Sequence, residues 1–172
     1  NVYRPADAKE VVGCWQAILS SNNPSAIILS RNEVDLNKGT NIDEVGKGAY
    51  IVKKEKQRLG GIIIATGSEV QVATLVAEEL YKKGIDIRVI SMPSMELFHK
   101  QSKEYQDALF PFGIKKVLIE ASSSYGLERF VYNDKYLITL NEFGQSGTKD
   151  EVLEHFKFNY ENILKRVEEL LR

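Results

Sequence analysis

The feature of this sequence that most limits its fold is an apolar run rich in β-branched residues, Gly-Ile-Ile-Ile-Ala, at Gly61–Ala65. A short continuous apolar run bounded by turn residues is typical of a central strand in a parallel sheet, because both faces of such a strand are buried. The run is followed by the turn Thr66–Glu69, in which Ser68 and Gln71 have capping-box spacing. Apolar residues at helical spacing come next: Ala73, Val76, Ala77 and Leu80. This order predicts the first half of a βαβ unit.

The same alternation of strands and helices continues along the chain. Further strands are predicted at 26–29, 49–52, 85–90, 116–120 and 136–140, the first of them short, fully buried and ending at Ser30-Arg31. An amphipathic segment is predicted over 95–109, and Thr148 and Glu151 form a capping box before a short helix. Two more helices are indicated by apolar stripes, one by Val11, Trp15, Ile18 and Leu19, the other by Ile163, Val167, Leu170 and Leu171.

Strands separated by helices predict a three-layer α/β domain with a mostly parallel sheet of about five strands and helices on both faces. We expect this domain to occupy 46–172, after a polar, irregular linker at 32–45. Residues 1–31 hold one helix and one strand, which is too little for a core of their own. The chain begins with Asn1 and shows no signal-peptide segment, so we expect it to be part of a longer polypeptide.

Composition excludes several classes of protein. The 172 residues are 43% hydrophobic and carry 23 Lys and Arg against 24 Asp and Glu, a net charge of −1. Disorder is excluded by the apolar fraction, and a nucleic-acid partner is not expected without a basic excess. The single cysteine, Cys14, excludes a disulfide scaffold, and the apolar runs are too short for a membrane span. A globular chain that does not span a membrane remains.

Two glycine-containing turns precede predicted helices, at Gly67–Glu69 and at Phe143–Thr148. Backbone N–H groups at a helix N-terminus can bind anions. Neither turn has a dinucleotide-binding or P-loop spacing, and Glu69 would repel a phosphate. The favoured interpretation is turn geometry, with Ser68 as a helix cap.

Few other residues indicate chemistry. His99, His155 and Cys14 have no partners at metal-ligand or nucleophile–base spacing, so we interpret them as structural. Glu120, near Ser122–Ser124, could build a polar site, although an interdomain hydrogen bond is favoured. Arg31 directly follows a predicted buried strand, where a guanidinium could bind a phosphate or carboxylate, and a functional and a structural role stay open. No catalytic site is recognisable from these patterns.

Taken together, the short motifs of this chain resemble those of the transketolase family. The similar segments cover nearly the whole chain in the family's order: Tyr3–Glu10 (R-P-A-D-x-x-E), Ile28–Arg31 (L-S-R), Gly46–Tyr50, Ala65–Val70 (A-T-G-S-E-V), Val89–Ser94 (V-S-M-P-S), Phe98 with Gln101 and Tyr105, and Phe143–Gly147 (F-G-x-S-G). The departures look like packing or surface changes at Lys9 and Leu127, where the family often has Asn and an aromatic residue. Asn32-Glu33 stands where Gln is usual.

The resemblance implies a place within a three-domain enzyme. Residues 1–31 resemble the last piece of the pyrimidine-binding domain, 32–45 the linker and 46–172 the complete C-terminal domain. The family transfers a two-carbon ketol unit between a ketose phosphate and an aldose phosphate in the pentose phosphate pathway. Members of the family are cytoplasmic homodimers that use thiamine diphosphate and a divalent cation, Mg or Ca. The thiamine diphosphate supplies the carbanion chemistry.

Carried over residue by residue, the resemblance assigns one site residue. Arg31 matches the arginine that contacts the substrate's phosphate. The family's G-D-G…N cofactor motif is absent from this sequence, so no catalytic, cofactor-binding or metal-binding residue is assigned. We therefore expect this chain to be inactive alone, to have a structural or dimer-contact role, and to expose an apolar patch.

Two alternatives remain open. The first is a stand-alone module that binds an anion or nucleotide at Gly67–Glu69. The second is the matching domain of another thiamine diphosphate enzyme, either deoxyxylulose phosphate synthase or the pyruvate dehydrogenase beta subunit. These relatives rank lower, because they generally lack the S-M-P-S segment and the residues that follow it.

Overall fold

A computed structural model describes residues 1–172. Its strands are β1 (Val2–Tyr3), β2 (Ala26–Ile27), β3 (Tyr50–Lys53), β4 (Gly61–Ala65), β5 (Ile87–Ser91), β6 (Lys116–Glu120) and β7 (Leu137–Thr139). Its α-helices are α1 (Ala8–Leu19), α2 (Glu69–Lys82), α3 (Met95–His99), α4 (Lys103–Leu109), α5 (Lys149–His155) and α6 (Tyr160–Leu171). Single 3₁₀ segments lie at Ile42–Lys47, Glu128–Phe130 and Asp134–Tyr136.

Five strands form the main sheet, in the order β3-β5-β4-β6-β7. Only β3 is antiparallel to its neighbour. Side chains alternate between the two faces of β4, so Ile63 belongs to a core beneath α2 and α6. Ile62 and Ile64 belong to a second core beneath α3, α4 and the 128–130 segment. The predicted three-layer α/β fold, with helices on both faces, is confirmed.

Side-chain capping decides several helix boundaries. The segment predicted over 95–109 is divided into α3 and α4, because the Ser102 hydroxyl accepts a hydrogen bond from Tyr105 N at 3.3 Å and starts a new helix. The capping box of Thr148 and Glu151 is confirmed. The capping bond predicted for Ser68 is wrong, because its backbone is already helical and its hydroxyl donates to Glu69 Oε1 at 3.0 Å.

The N-terminal segment forms its own two-stranded parallel sheet, in which Val2 pairs with Ala26 and Tyr3 with Ile27. The prediction that 26–29 is a fully buried strand is wrong. The strand ends at Ile27, and Ile28 and Leu29 are 48% and 58% exposed. The reason is that β2 pairs only with β1 and lies outside the five-stranded sheet, whose helices cover both faces of its central strands.

Helix α1 is confirmed, but only part of its predicted apolar stripe is packed, because Ile18 contacts the core and the other stripe residues lie nearer the surface. Trp15 and Leu19 are 49% and 79% exposed, whereas Glu10, Gly13 and Cys14 are buried. Gly13 explains this orientation, because the helix approaches the 3₁₀ segment so closely that a Cβ there would lie 2.6 Å from the carbonyl oxygen of Ile42. An apolar surface on α1 is therefore left uncovered.

Candidate functional site

A cavity of about 170 Å³ lies at the carboxyl ends of β4 and β6, and we call it the sheet-edge cleft. The connection that leaves β4 leads to β5 on one side of β4, and the connection that arrives at β6 brings the chain to the other side of β4. The cleft therefore lies at the switch point of the strand order, where open α/β sheets commonly bind ligands. Its lining comes from the N-terminal segment and from the loops after β4 and β6: Arg4, Pro5, Ile28, Leu29, Ser30, Gly67, Ser68, Glu69, Glu120 and Ala121.

Backbone hydrogen bonds hold the N-terminal segment at this edge. Arg4 N donates to the Pro93 carbonyl at 2.8 Å, and Gly67 N donates to the Arg4 carbonyl at 3.1 Å. The turn can approach so closely because Gly67 has a φ of 59°, which a residue without a Cβ adopts at little cost. The segment before α1 is thus fixed against the loops that follow β4 and β5.

The Arg4 side chain reaches into the cleft. Its Nη1 donates to Glu120 Oε1 at 2.8 Å, and the Glu120 side chain is 8% exposed. Burial, and then the charge of Glu69, raises the pKa of Glu120 to about 7, although Arg4 acts in the opposite direction. Burial also raises the pKa of Glu69. Glu120 thus has a hydrogen-bond partner in the N-terminal segment, whereas its Oε2 has no partner.

This composition does not make the cleft an anion site. One arginine faces two carboxylates, so the ionised cleft does not attract a phosphate. The volume is also below the several hundred cubic ångströms typical of pockets for whole small molecules. The cleft joins the N-terminal segment to the sheet, and the helix start at Gly67–Glu69 is part of that junction.

Arg31 lies just beyond the rim of this cleft. It follows Ser30, whose hydroxyl accepts a hydrogen bond from Asn32 N at 3.2 Å and closes a turn around Arg31. The guanidinium is exposed and takes part in no intramolecular ion pair. Its assignment to a substrate phosphate stays a prediction, since the structure gives it no structural partner and no ligand.

A second polar cluster, which the sequence did not indicate, surrounds Glu10. The side chain is fully buried, and its Oε1 accepts hydrogen bonds from the Tyr50 hydroxyl at 2.7 Å and from the Ser91 hydroxyl at 2.6 Å. Tyr50 and Ser91 are directly opposite each other in the β3–β5 pair. Ala6 N donates to Oε2 at 2.7 Å, and burial raises the pKa of Glu10 despite these donors.

Asp7 extends this cluster toward the linker. Its Oδ1 accepts from Glu10 N at 3.1 Å and caps the start of α1. Its Oδ2 accepts from Asn37 N at 2.8 Å and from the Thr40 hydroxyl at 2.7 Å. Only the contact with Glu10 is local in sequence, because Asn37 and Thr40 are 30 and 33 positions from Asp7. Glu10 and Asp7 together connect α1 to residues 37–40 and to the main sheet.

The remaining candidates take no part in the hydrogen bonds of either cluster. His99 stacks on Phe130 with 5.5 Å between the ring centroids, and His155 packs edge-on against Phe156. Cys14 is buried, which raises the pKa of its thiol to about 12 and favours the structural interpretation. The 143–148 turn is exposed, with Thr148 capping α5.

No group of three or more His, Cys, Asp or Glu side chains is arranged to hold a metal ion. None of the helices has the length and apolar character needed to cross a membrane.

Comparison with known proteins gives a consistent result. The model of the transketolase-like TK C-terminal domain family matches residues 48–159. A probable transketolase of Streptococcus pneumoniae is 38% identical over 172 residues, which is 99% of this chain and 26% of that protein. The chain thus spans about a quarter of the length of the curated relatives it matches.

Solved structures show the same relationship. A transketolase from Leishmania mexicana has a TM-score of 0.91 and 33% identity, covering 99% of this chain and 25% of that one. The transketolase of Pichia stipitis in complex with sedoheptulose 7-phosphate has a TM-score of 0.90 and 30% identity over the same shares of the two chains.

Proposed function

The chain belongs to the transketolase family, and we propose that it works as the C-terminal part of an enzyme that transfers a two-carbon ketol unit between sugar phosphates. The observation that carries this proposal is the end-to-end match: 99% of the chain aligns at 38% identity with one quarter of a longer relative. A stand-alone binding module would not be expected to align with that quarter of the relative from Tyr3 to the last helix.

We further propose the division predicted from the sequence. Residues 1–31 would be the last piece of a pyrimidine-binding domain, 32–45 the linker and 46–172 the C-terminal domain. The separate small sheet of β1 and β2 supports this, as does the exposed apolar surface around Trp15, Leu19 and Leu29. An uncovered apolar surface of this kind is typical of a face that packs on another domain or subunit. A contact role in a homodimer fits the same surface.

The substrates we propose are ketose and aldose phosphates, as in the complex of the Pichia stipitis relative with sedoheptulose 7-phosphate. In this chain Arg31 is the residue we assign to the substrate's phosphate. Its guanidinium is exposed. The planar arrangement of N–H donors in a guanidinium matches the oxygens of a phosphate better than the ammonium group of a lysine does. The ordered turn at Ser30 fixes the backbone from which Arg31 extends.

The whole enzyme would use thiamine diphosphate and a divalent cation, and it would work in the pentose phosphate pathway of the cytoplasm. The residues present here do not fit that cofactor, because no three side chains form a metal-binding group and Arg4 is balanced by Glu69 and Glu120. We therefore assign the cofactor to no residue of this chain. The contribution of the chain is to bind the phosphate through Arg31 and to hold the neighbouring domain.

Ketol transfer should be measured with the purified 172-residue chain and with a longer polypeptide that carries it at its C-terminus. Thiamine diphosphate and Mg²⁺ are added to both. The longer protein should be active and the chain alone should not. Turnover by the chain alone, free of any longer protein, would overturn the proposal.

The Arg31 assignment has its own test in the longer protein. Arg31→Gln should raise KM for the phosphorylated substrates about tenfold or more, because a charge-assisted hydrogen bond is lost. Arg58→Gln, which removes another exposed arginine, should leave KM unchanged. Equal values for the two variants would reject the role of Arg31 and leave the family function standing.

A further inference from the structure

A larger cavity, of about 530 Å³, lies on the face of the sheet covered by α3 and α4. It shares no lining residue with the sheet-edge cleft. We call it the aromatic–cationic cavity, and these side chains line it: Phe98, His99, Lys103, Gln106, Asp107, Phe110, Phe112, Lys116, Arg129, Phe130 and Tyr132. Its volume is within the range of pockets that bind small molecules.

The charge of this cavity is strongly one-sided. Three cationic side chains, Lys103, Lys116 and Arg129, face a single carboxylate, Asp107, which is already paired with Lys103. Lys116 has no carboxylate partner, and its pKa is lowered by burial and then by Lys103. In a chain whose net charge is −1, three cations around one concave surface concentrate positive potential where an anion could enter.

The aromatic side chains of the cavity are of two kinds. Phe98, Phe110 and Phe130 form its floor and pack on one another, with an edge-on contact of 5.4 Å between the Phe98 and Phe110 centroids. Phe112, in contrast, is 98% exposed, so both faces of its ring contact little protein, and Tyr132 is 59% exposed, with Lys116 Nζ over one face of its ring. Exposed aromatic rings beside cations offer stacking to a planar ligand.

Two of the three cations, Lys116 and Arg129, are positioned by aromatic rings or by the His99 imidazole. Lys116 Nζ lies 5.3 Å from the Phe110 centroid and 4.7 Å from that of Tyr132. Arg129 Nη1 is 3.4 Å from His99 Nε2, and the imidazole stacks on Phe130. Rings that position a cation without neutralising it leave its charge available to a ligand.

From this geometry we propose that the aromatic–cationic cavity binds a small anion with a planar aromatic ring, of the nucleoside monophosphate class. The ring stacks on Phe112 and Tyr132, and the phosphate is bound by Lys103, Lys116 and Arg129. A sugar phosphate would use the cations and leave the two exposed rings uncovered. A neutral aromatic ligand would leave Lys116 and Arg129 without an anion.

Isothermal titration calorimetry with the full chain tests this, using AMP, adenosine and inorganic phosphate as probes. AMP should bind at least tenfold more tightly than adenosine or phosphate, because only AMP has both the ring and the charge. Raising the salt concentration should weaken AMP and phosphate binding and leave adenosine binding nearly unchanged.

Matched variants locate the site. Phe112→Ala should weaken AMP binding about fivefold or more through lost stacking, whereas Phe143→Ala, which removes another 98% exposed phenylalanine, should have no effect. Lys103→Gln should also weaken AMP binding, whereas Lys82→Gln, taken from another exposed intrahelical ion pair, should not. All four positions are exposed, so the variants should fold.

Three results would overturn the proposal, two from calorimetry and one from chemical shifts. The first is no AMP binding at millimolar concentration by the folded chain. The second is AMP binding that Phe112→Ala and Lys103→Gln leave unchanged relative to their controls. Amide chemical-shift changes on adding AMP should include 103–107 and 129–132, and changes confined elsewhere would count equally against this cavity.

Discussion

Arg4 and Glu120 are separated by 116 positions in the sequence, yet Arg4 Nη1 and Glu120 Oε1 are 2.8 Å apart. The ion pair crosses from the N-terminal segment to the end of β6. Its acidic partner is almost completely buried, with a second oxygen that has no hydrogen-bond partner. The junction therefore depends on a carboxylate whose ionisation is unfavourable in the folded chain.

This burial predicts a pH-dependent stability. The pKa of Glu120 is raised from 4.5 to about 7, so the folded chain holds the proton more tightly than the unfolded chain does. The stability that Glu120 contributes is complete below pH about 4.5 and is lost as the pH rises through about 7. The free energy of unfolding of Glu120→Gln, relative to the unmodified chain, should rise by about 1–3 kcal/mol between pH 5 and pH 8.

Urea unfolding at the two pH values measures this difference. Glu33→Gln removes an exposed carboxylate and should show no such change. A Glu120→Gln difference that is equal at both pH values would contradict the prediction.

The second prediction concerns the buried hydroxyls on Glu10. Tyr50→Phe removes one donor to Glu10 Oε1 and should lower the free energy of unfolding by about 1–2 kcal/mol, since a hydrogen bond to a buried acceptor is lost. Tyr125→Phe, at a 91% exposed position, should change it by less than about 0.5 kcal/mol. The midpoints of thermal unfolding of the two variants measure this difference in stability. Equal midpoints would show that the buried hydrogen bond does not stabilise the chain.

The third prediction compares two helix caps. Thr148→Ala removes the exposed cap of α5 and should cost about 1 kcal/mol. Asp7→Ala should cost about 2 kcal/mol or more, because Asn37 N and the Thr40 hydroxyl lose their acceptor as well. Chemical denaturation should rank the variants in this order. The reverse order would mean that the linker contacts of Asp7 do not stabilise the chain.

The fourth prediction follows from the close approach of α1 to the 3₁₀ segment. Helix propensity alone would make Gly13→Ala stabilising by about 1 kcal/mol. The new Cβ would instead lie 2.6 Å from the Ile42 carbonyl oxygen, so we expect a net loss of about 1–3 kcal/mol. Gly46→Ala, where a Cβ meets nothing within 4 Å, should be neutral or slightly stabilising in the same unfolding assay. A stabilised Gly13→Ala chain would show that this contact is loose.

The fifth prediction concerns the uncovered apolar surface. Leu19→Gln replaces a 79% exposed leucine and should change the free energy of unfolding by less than about 0.5 kcal/mol. Leu80→Ala, at a fully buried position in α2, should cost about 2–5 kcal/mol. Static light scattering should show weaker self-association for Leu19→Gln than for the unmodified chain. A strict monomer at every concentration before mutation would contradict a contact role for this surface.

The sequence by itself determined the main sheet and the family. The bounds of β4 and β6 were predicted to the residue, because a fully buried strand is a continuous apolar run whose ends are marked locally. The fold class and the relationship to transketolases are confirmed for the same reason: each depends on short motifs and periodicities that can be read within a few residues of one another.

Tertiary structure alone decided which faces are packed and which polar groups meet. Trp15 and Leu19 follow a regular apolar period, yet α1 turns Glu10 and Gly13 inward, because the hydroxyls of Tyr50 and Ser91 and the nearby 3₁₀ segment are there. Tyr50 and Ser91 are 40 and 81 positions from Glu10, so no local sequence pattern predicts these contacts. Periodicity shows that a helix has an apolar side, but the partner that covers that side, or leaves it exposed, is set by contacts between distant segments.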